Sequence, residues 1–140
     1  MKMNVAGINE VSISNGRKAE IQFPTLCWEQ GWECASPQLD EMPYDFVART
    51  GTKKFKAVQV KQVYRRKGRN IRYIALTKTG QNSTKRAKYA EGDFDTLAIF
   101  DPESNEWWMV PWSKVNKIYQ SHSGHEINID NLKLRRYKVK

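Results

Sequence analysis

Two cysteines are the whole thiol content of this 140-residue chain, and Cys27 and Cys34 form no CxxC pair. A disulfide scaffold or zinc frame therefore has little support, and both read as reduced core residues. Histidine is equally scarce. His122 and His125 fall late, spaced HSGH in a Ser-Gly stretch, which suits neither a helix-borne zinc pair nor histidine-led catalysis. Glycine-rich phosphate loops of the GxxxxGK[ST] or GxGxxG kind are absent, so no nucleotide cofactor is implied. No run reaches the roughly 18 apolar residues that span a bilayer, and the opening MKMNVAGINEVSISN lacks the apolar centre of a signal peptide. A soluble, intracellular protein with no membrane partner is expected.

The most telling absence is acidic. Residues 46–89 carry 14 of the 24 Lys and Arg and not one Asp or Glu, while the acids gather in residues 10–45 and 91–106. A solvated surface normally mixes both signs, so this segregation marks a face for a polyanion. The net charge of +9 and pI near 9.6 agree with a nucleic-acid partner, although a ribosomal or membrane-surface protein would share them. With 39% apolar residues, the length suits one domain over 1–140, carrying a basic C-terminal extension from about 120 to 140 that ends in KLRRYKVK.

Pattern and punctuation place the elements. A helix is predicted over 16–30, capped by Ser14 or Asn15 and ended by Gly31, with Ala19, Phe23, Leu26 and Cys27 as its apolar stripe and Glu20 at the border. Pro24 should kink or split it. Strands are predicted over 32–36, 44–49, 55–63 and 71–76, with YRRKGRN (64–70) as a loop. Residues 77–89 show no apolar period and are expected to be ordered by the polyanion, with a short helix near 84–89. A hairpin follows over 95–100 and 106–110, then a short helix to about Tyr119. Trp107, Trp108 and Trp112 could stack on bases, but aromatics around a hairpin more often form core.

Strand alternation gives the chemistry its place. Phe55, Ala57, Gln59 and Lys61 should share one face, and Val58 and Val60 the other. Adjacent same-face Gln and Lys would be desolvated in a core without evident partners, so they should line a wet cleft. Asp45 starts the preceding strand, and Asp40 and Glu41 in the turn before it read as solvated.

Glu20 on a first helix, Pro43-Tyr44-Asp45 before a strand, and Gln59-Val60-Lys61 on the next strand together resemble the PD-(D/E)XK nucleases. The PYD…QVK wording is similar to their intron-encoded homing endonuclease branch, with Gln59 where an acid is usual, and a junction resolvase is the second branch it resembles. The resemblance spans about residues 16 to 115. It implies an α/β restriction-endonuclease-like core, a central mixed sheet flanked by helices, and magnesium-dependent hydrolysis of DNA, with manganese as substitute. It further implies Asp45, Glu20, Gln59 and the Val60 backbone carbonyl as metal ligands, and Lys61 as the residue that orients the attacking water. An amide adds no charge, so Gln59 should hold metal more weakly than a carboxylate would. Arg65, Arg66, Lys67, Arg69, Arg72, Lys78, Lys85, Arg86 and Lys88 are the candidate DNA-binding residues. One site per chain and two strands to cut imply a homodimer or homotetramer, in the cytoplasm or nucleoid. A catalytically silent DNA-binding module of the same fold is the contrasting reading.

Overall fold

The computed structural model describes residues 17–39, 42–51, 54–79, 86–122, 124–132, 134 and 136–138. Its centre is a six-stranded mixed sheet in the order β1-β2-β3-β8-β9-β11. The strands are β1 (Glu33–Ala35), β2 (Phe46–Arg49), β3 (Lys56–Gln62), β8 (Thr96–Asp101), β9 (Glu106–Pro111) and β11 (Arg136–Lys138). All neighbours run antiparallel except β3 and β8, which are parallel. A parallel pair needs a crossover. Here the intervening chain supplies β4 (Tyr64–Arg65), β5 (Arg72–Ala75), β6 (Lys78–Thr79) and β7 (Arg86–Ala87). β4 and β5 join β10 (Glu126–Asn128) in a second sheet, and β6 and β7 form a two-stranded ribbon.

Period-two alternation divides the side chains between two cores. Ala98, Phe100 and Trp107 turn to one face, with Phe46, Ala48, Val58 and Val60, and bury the stripe Ala19, Phe23, Leu26 and Cys27 of helix α1 (Arg17–Gln30). Leu97, Ile99, Trp108 and Val110 turn to the other, against Ile74, Leu76 and helix α2 (Trp112–Ser121) through Val115 and Ile118. Because both faces are covered, β8 reads as one continuous apolar run.

Helix α1 is continuous through Pro24, so of the kink or split expected there the split does not occur. An internal proline costs about 3 kcal/mol. Phe23 and Leu26 are both fully buried, at roughly 1.5 to 3 kcal/mol each, which outweighs that cost. Its end is as predicted. Gly31 takes a φ of 72°, Trp32 N–H donates to the Cys27 carbonyl at 2.8 Å and Gly31 N–H to Trp28 at 3.2 Å, a pair of bonds that closes the last turn. The expected caps Ser14 and Asn15 lie outside the described residues.

Two segments differ from expectation. Residues 64–70 form no simple loop: Tyr64 and Arg65 pair with Tyr73 and Arg72, around a turn in which Gly68 has φ 77°. At the predicted helix over 84–89, Arg86 and Ala87 are in strand, paired with Thr79 and Lys78. Lacking an apolar stripe, this stretch gains more from a partner strand's hydrogen bonds than from an unpacked helix. From about residue 120 onward the chain adds a strand to each of the two larger sheets. β10 pairs with β5, and β11 closes the edge of the main sheet beside β9. Trp107 and Trp108 are buried and Trp112 packs against the α2-side cluster, so the tryptophans serve the core.

Candidate active site

Asp45 is sewn to β3 by both its backbone and its side chain. Its N–H donates to the Val58 carbonyl at 2.8 Å, and its Oδ2 accepts the Val60 N–H at 2.8 Å. The residue thus stands beside the Gln59-Val60-Lys61 triplet, although it precedes β2 by one position. Alternation along β3 is as the sequence implies: Val58 and Val60 are buried under α1, whereas Ala57, Gln59 and Lys61 are half-buried on the opposite side.

Each member has a defined environment. Lys61 Nζ donates to the Thr77 carbonyl at 2.8 Å and lies 5.2 Å from the centre of the Tyr89 ring. Gln59 Nε2 donates to the Val60 carbonyl at 3.1 Å, so this expected ligand oxygen already accepts one hydrogen bond. A carbonyl retains a second lone pair. Burial pushes the Asp45 carboxyl above its ordinary range, against the downward pull of the Val60 amide and the Lys61 charge. A half-buried carboxylate held that way gains from an added cation.

Glu20 enters from α1. It is exposed, and with Ile21, Ser36, Leu39, Tyr44 and Asp45 it lines a cleft of about 580 Å³. Gln59 and Lys61 are not among the lining residues of that cleft. Asp45 is therefore the member common to both groupings, lining the cleft with Glu20 and tied to the triplet through β3. The start of α1 is itself held to β3, because Gln62 Oε1 accepts the Ala19 N–H at 3.2 Å. Sequence reading missed Gln62. Its place three residues after Gln59, beyond the motif, carries no signal for a cap on a distant helix.

A divalent ion fits this donor set in a limited way. Among the described residues no three of His, Cys, Asp and Glu come together as a metal cage. What is present is the Asp45 carboxylate, an amide oxygen on Gln59 and a second carboxylate on the cleft rim. Such oxygen donors suit a hard cation that keeps much of its water, the coordination habit of magnesium. A second hollow of about 380 Å³, beside Trp32 and Tyr137, has no carboxylate in its lining.

The basic residues are less available than the sequence suggests. Arg65 makes a two-pronged contact with Asp101 at 3.0 and 2.8 Å and reaches Glu103 at 3.0 Å. Arg72 pairs with Asp130, Asp101 and Glu106. Arg66 pairs with Glu126 and stacks 4.9 Å from the Tyr73 ring, and Lys78 pairs with Asp93 at 2.7 Å. Lys67 and Arg69 are exposed in the β4–β5 turn. Lys88 is exposed, with Nζ 5.3 Å from the Tyr119 ring. Lys85 and the side chain of Arg86 lie outside the described residues. An acid-free stretch of sequence takes its counter-charges from elsewhere in the chain, which linear charge counting does not reveal. His122 bonds at its own helix end, and the His125 carbonyl accepts the Leu76 N–H at 2.8 Å.

The sequence matches the PD-(D/E)XK endonuclease family over residues 14–136. The chain belongs to that family. Its members generally use divalent metals, and DNA is the substrate that an endonuclease family implies. Among solved structures, the bacterial homing endonuclease I-Ssp6803I is similar with a TM-score of 0.65 at 22% identity, over 82% of this chain and 75% of that one. This likeness concerns the fold, an α/β restriction-endonuclease-like architecture. A search of curated proteins returns no match. Among the described residues of the nuclease no helix is long and apolar enough to cross a membrane.

Proposed function

We propose that this nuclease is a magnesium-dependent endonuclease that cuts duplex DNA at a specific site, with Asp45, Glu20, Gln59 and Lys61 as its centre. The observation that carries the reading is the stitching of Asp45 to β3 by the Val60 amide, beside the Gln59 and Lys61 positions. A bound divalent ion would supply charge neutralisation at the scissile phosphate and a more acidic water. Asp45 and Glu20 would hold the ion from two sides of the cleft, with the Val60 carbonyl and the Gln59 amide oxygen completing the protein's share. Turning the Gln59 amide exchanges donor for acceptor without changing its shape. Lys61 then directs its N–H groups at the attacking water and at charge developing on the phosphate. Two strands and one centre per chain call for at least two copies, as a homodimer or homotetramer.

The test is cleavage of plasmid and of a random-sequence duplex pool, beside a four-way junction, in magnesium, manganese and chelator. Metal-dependent cutting of a subset of the pool is the expected result. Preference for the junction would turn the reading toward a junction resolvase, and binding without cutting in any metal would leave a silent DNA-binding module.

DNA affinity has its own check. Each phosphate contact contributes roughly 0.9 to the salt slope of binding. Replacing exposed Lys67 and Arg69 together with Ala should therefore flatten the slope by up to about two without loss of fold. An unchanged slope in titrations at several salt concentrations would mean that the β4–β5 turn points away from DNA.

A further inference from the structure

A lysine that must orient one water has a handicap: its ammonium sits on a flexible four-carbon stem with about 2 kcal/mol of rotamer entropy. Lys61 is not left to that freedom. Its Nζ meets the Thr77 carbonyl at 2.8 Å on one side and the face of the Tyr89 ring at 5.2 Å on another. Both contacts are buried, Thr77 at 6% exposure and Tyr89 at 6%. They stand at the two feet of the β6–β7 ribbon, Thr77 just before β6 and Tyr89 two residues after β7.

A third residue ties the feet together. The Tyr119 hydroxyl, from α2, donates to the Leu76 carbonyl at 2.7 Å and accepts the Tyr89 N–H at 3.0 Å. One phenolic oxygen thereby links the residue next to Thr77 with Tyr89 itself. Lys78 and Asp93 add a second tie at 2.7 Å, and the same Asp93 carboxylate takes the Ala90 N–H at 2.8 Å. Phe94 packs edge-on against Tyr89, 5.0 Å between ring centres, and sets the plane of the ring.

We propose that Tyr89 and Tyr119 are positioning residues for Lys61: the Tyr89 ring holds the ammonium in place, and the Tyr119 hydroxyl holds the two walls of the cradle at their spacing. The inference rests on the proposed reading of Lys61 as the water-orienting group. An ammonium is attracted to the negative face of an aromatic ring, and more strongly where water is excluded. Misplacing a reacting group by about 1 Å costs on the order of 10² in rate. The cradle also joins the catalytic strand to the base of the ribbon.

The experiment has two parts. In single-turnover cleavage, Tyr89→Leu and Tyr119→Phe should each lower the rate by about ten- to a hundredfold, with DNA affinity unchanged, while Tyr89→Phe, which keeps the ring, should recover most of it. In a Lys61→Ala background, Tyr119→Phe should cost nothing further. A structural defect alone would reduce both backgrounds equally, and that outcome overturns the proposal. The second part is independent of activity. With lysines labelled as ¹³C-dimethyl amines, one resonance that vanishes in Lys61→Ala should sit upfield through the ring current of Tyr89. It should return to the ordinary lysine position in Tyr89→Leu. An unshifted Lys61 resonance in the parent overturns the proposal even if no cleavage is found, and absent cleavage with a shifted resonance refutes the nuclease reading alone.

Discussion

Asp45→Asn is expected to abolish cleavage while leaving the metal-free fold at least as stable as the parent. Asn keeps an acceptor for the Val60 N–H and removes only the charge. That charge is the costly part, because burial raises the Asp45 carboxyl above its ordinary range. For a raised carboxyl the stabilising form is the neutral one: its contribution is present below the ordinary carboxylate pKa and lost as pH rises through the folded value. Ionisation of this group is therefore what folding disfavours and a cation would favour, the compromise expected of a catalytic centre. DNA binding should hold at or above the parent level, since a negative charge leaves a cationic face. Lys61→Ala should lose on the order of 10² or more in single-turnover rate, as for removal of a preorganised charge stabiliser. Gln59→Glu adds a charge at the same centre and should tighten manganese binding in a calorimetric titration. Parental turnover by Asp45→Asn would sink the assignment of the site.

Asp101→Asn should be among the most destabilising single changes in the molecule, costing about 3 to 5 kcal/mol. Asp101 is fully buried, and its carboxylate binds Arg65 through two hydrogen bonds, Arg72 at 3.3 Å, the Ser104 hydroxyl and the Glu103 N–H. Burial pushes its carboxyl up, but these donors and the Arg65 charge outweigh that and hold it down at about 2. Removing the charge leaves two partly buried guanidiniums short of their partner. Asp101 ends β8, Arg65 lies on β4 and Arg72 on β5, so the network also clamps the small sheet to the large one. A loss of that size in a domain this long lowers the melting temperature by on the order of 10 °C, readable by circular dichroism. The pH dependence follows from the depressed value. This stabilisation is complete above the unfolded carboxylate pKa near 3.8 and fades as pH falls through about 2. Asp101→Asn should therefore lose its deficit relative to the parent in strong acid. A cost under about 1 kcal/mol at neutral pH would show that Glu103, Glu106 and Asp130 satisfy both arginines without it.

By itself the sequence determined the family, the strands that carry the motif and the order of elements around them. Those features are local: PYD and QVK are two triplets of one hairpin, just before β2 and on β3, the β8–β9 hairpin is an apolar run around a turn, and the end of α1 is Gly31. Alternation likewise placed Gln59 and Lys61 together opposite Val58 and Val60, because a strand has only two faces. The tertiary structure decided everything that depends on residues far apart in the chain. It kept α1 whole across Pro24, since the buried stripe on the sheet outweighs a lost hydrogen bond. It put Tyr64–Arg65, Arg72–Ala75, Lys78–Thr79 and Arg86–Ala87 into paired strands, because the partners that satisfy their backbone lie elsewhere. It spent Arg65 and Arg72 on Asp101, Glu103, Glu106 and Asp130, acids 29 to 58 positions distant, so a run that looks uniformly free for DNA is partly internal. And it set the Tyr89 ring against Lys61 and the Tyr119 hydroxyl between Leu76 and Tyr89, since long-range contacts arise from the packing of elements and leave no periodic trace in the residues that make them.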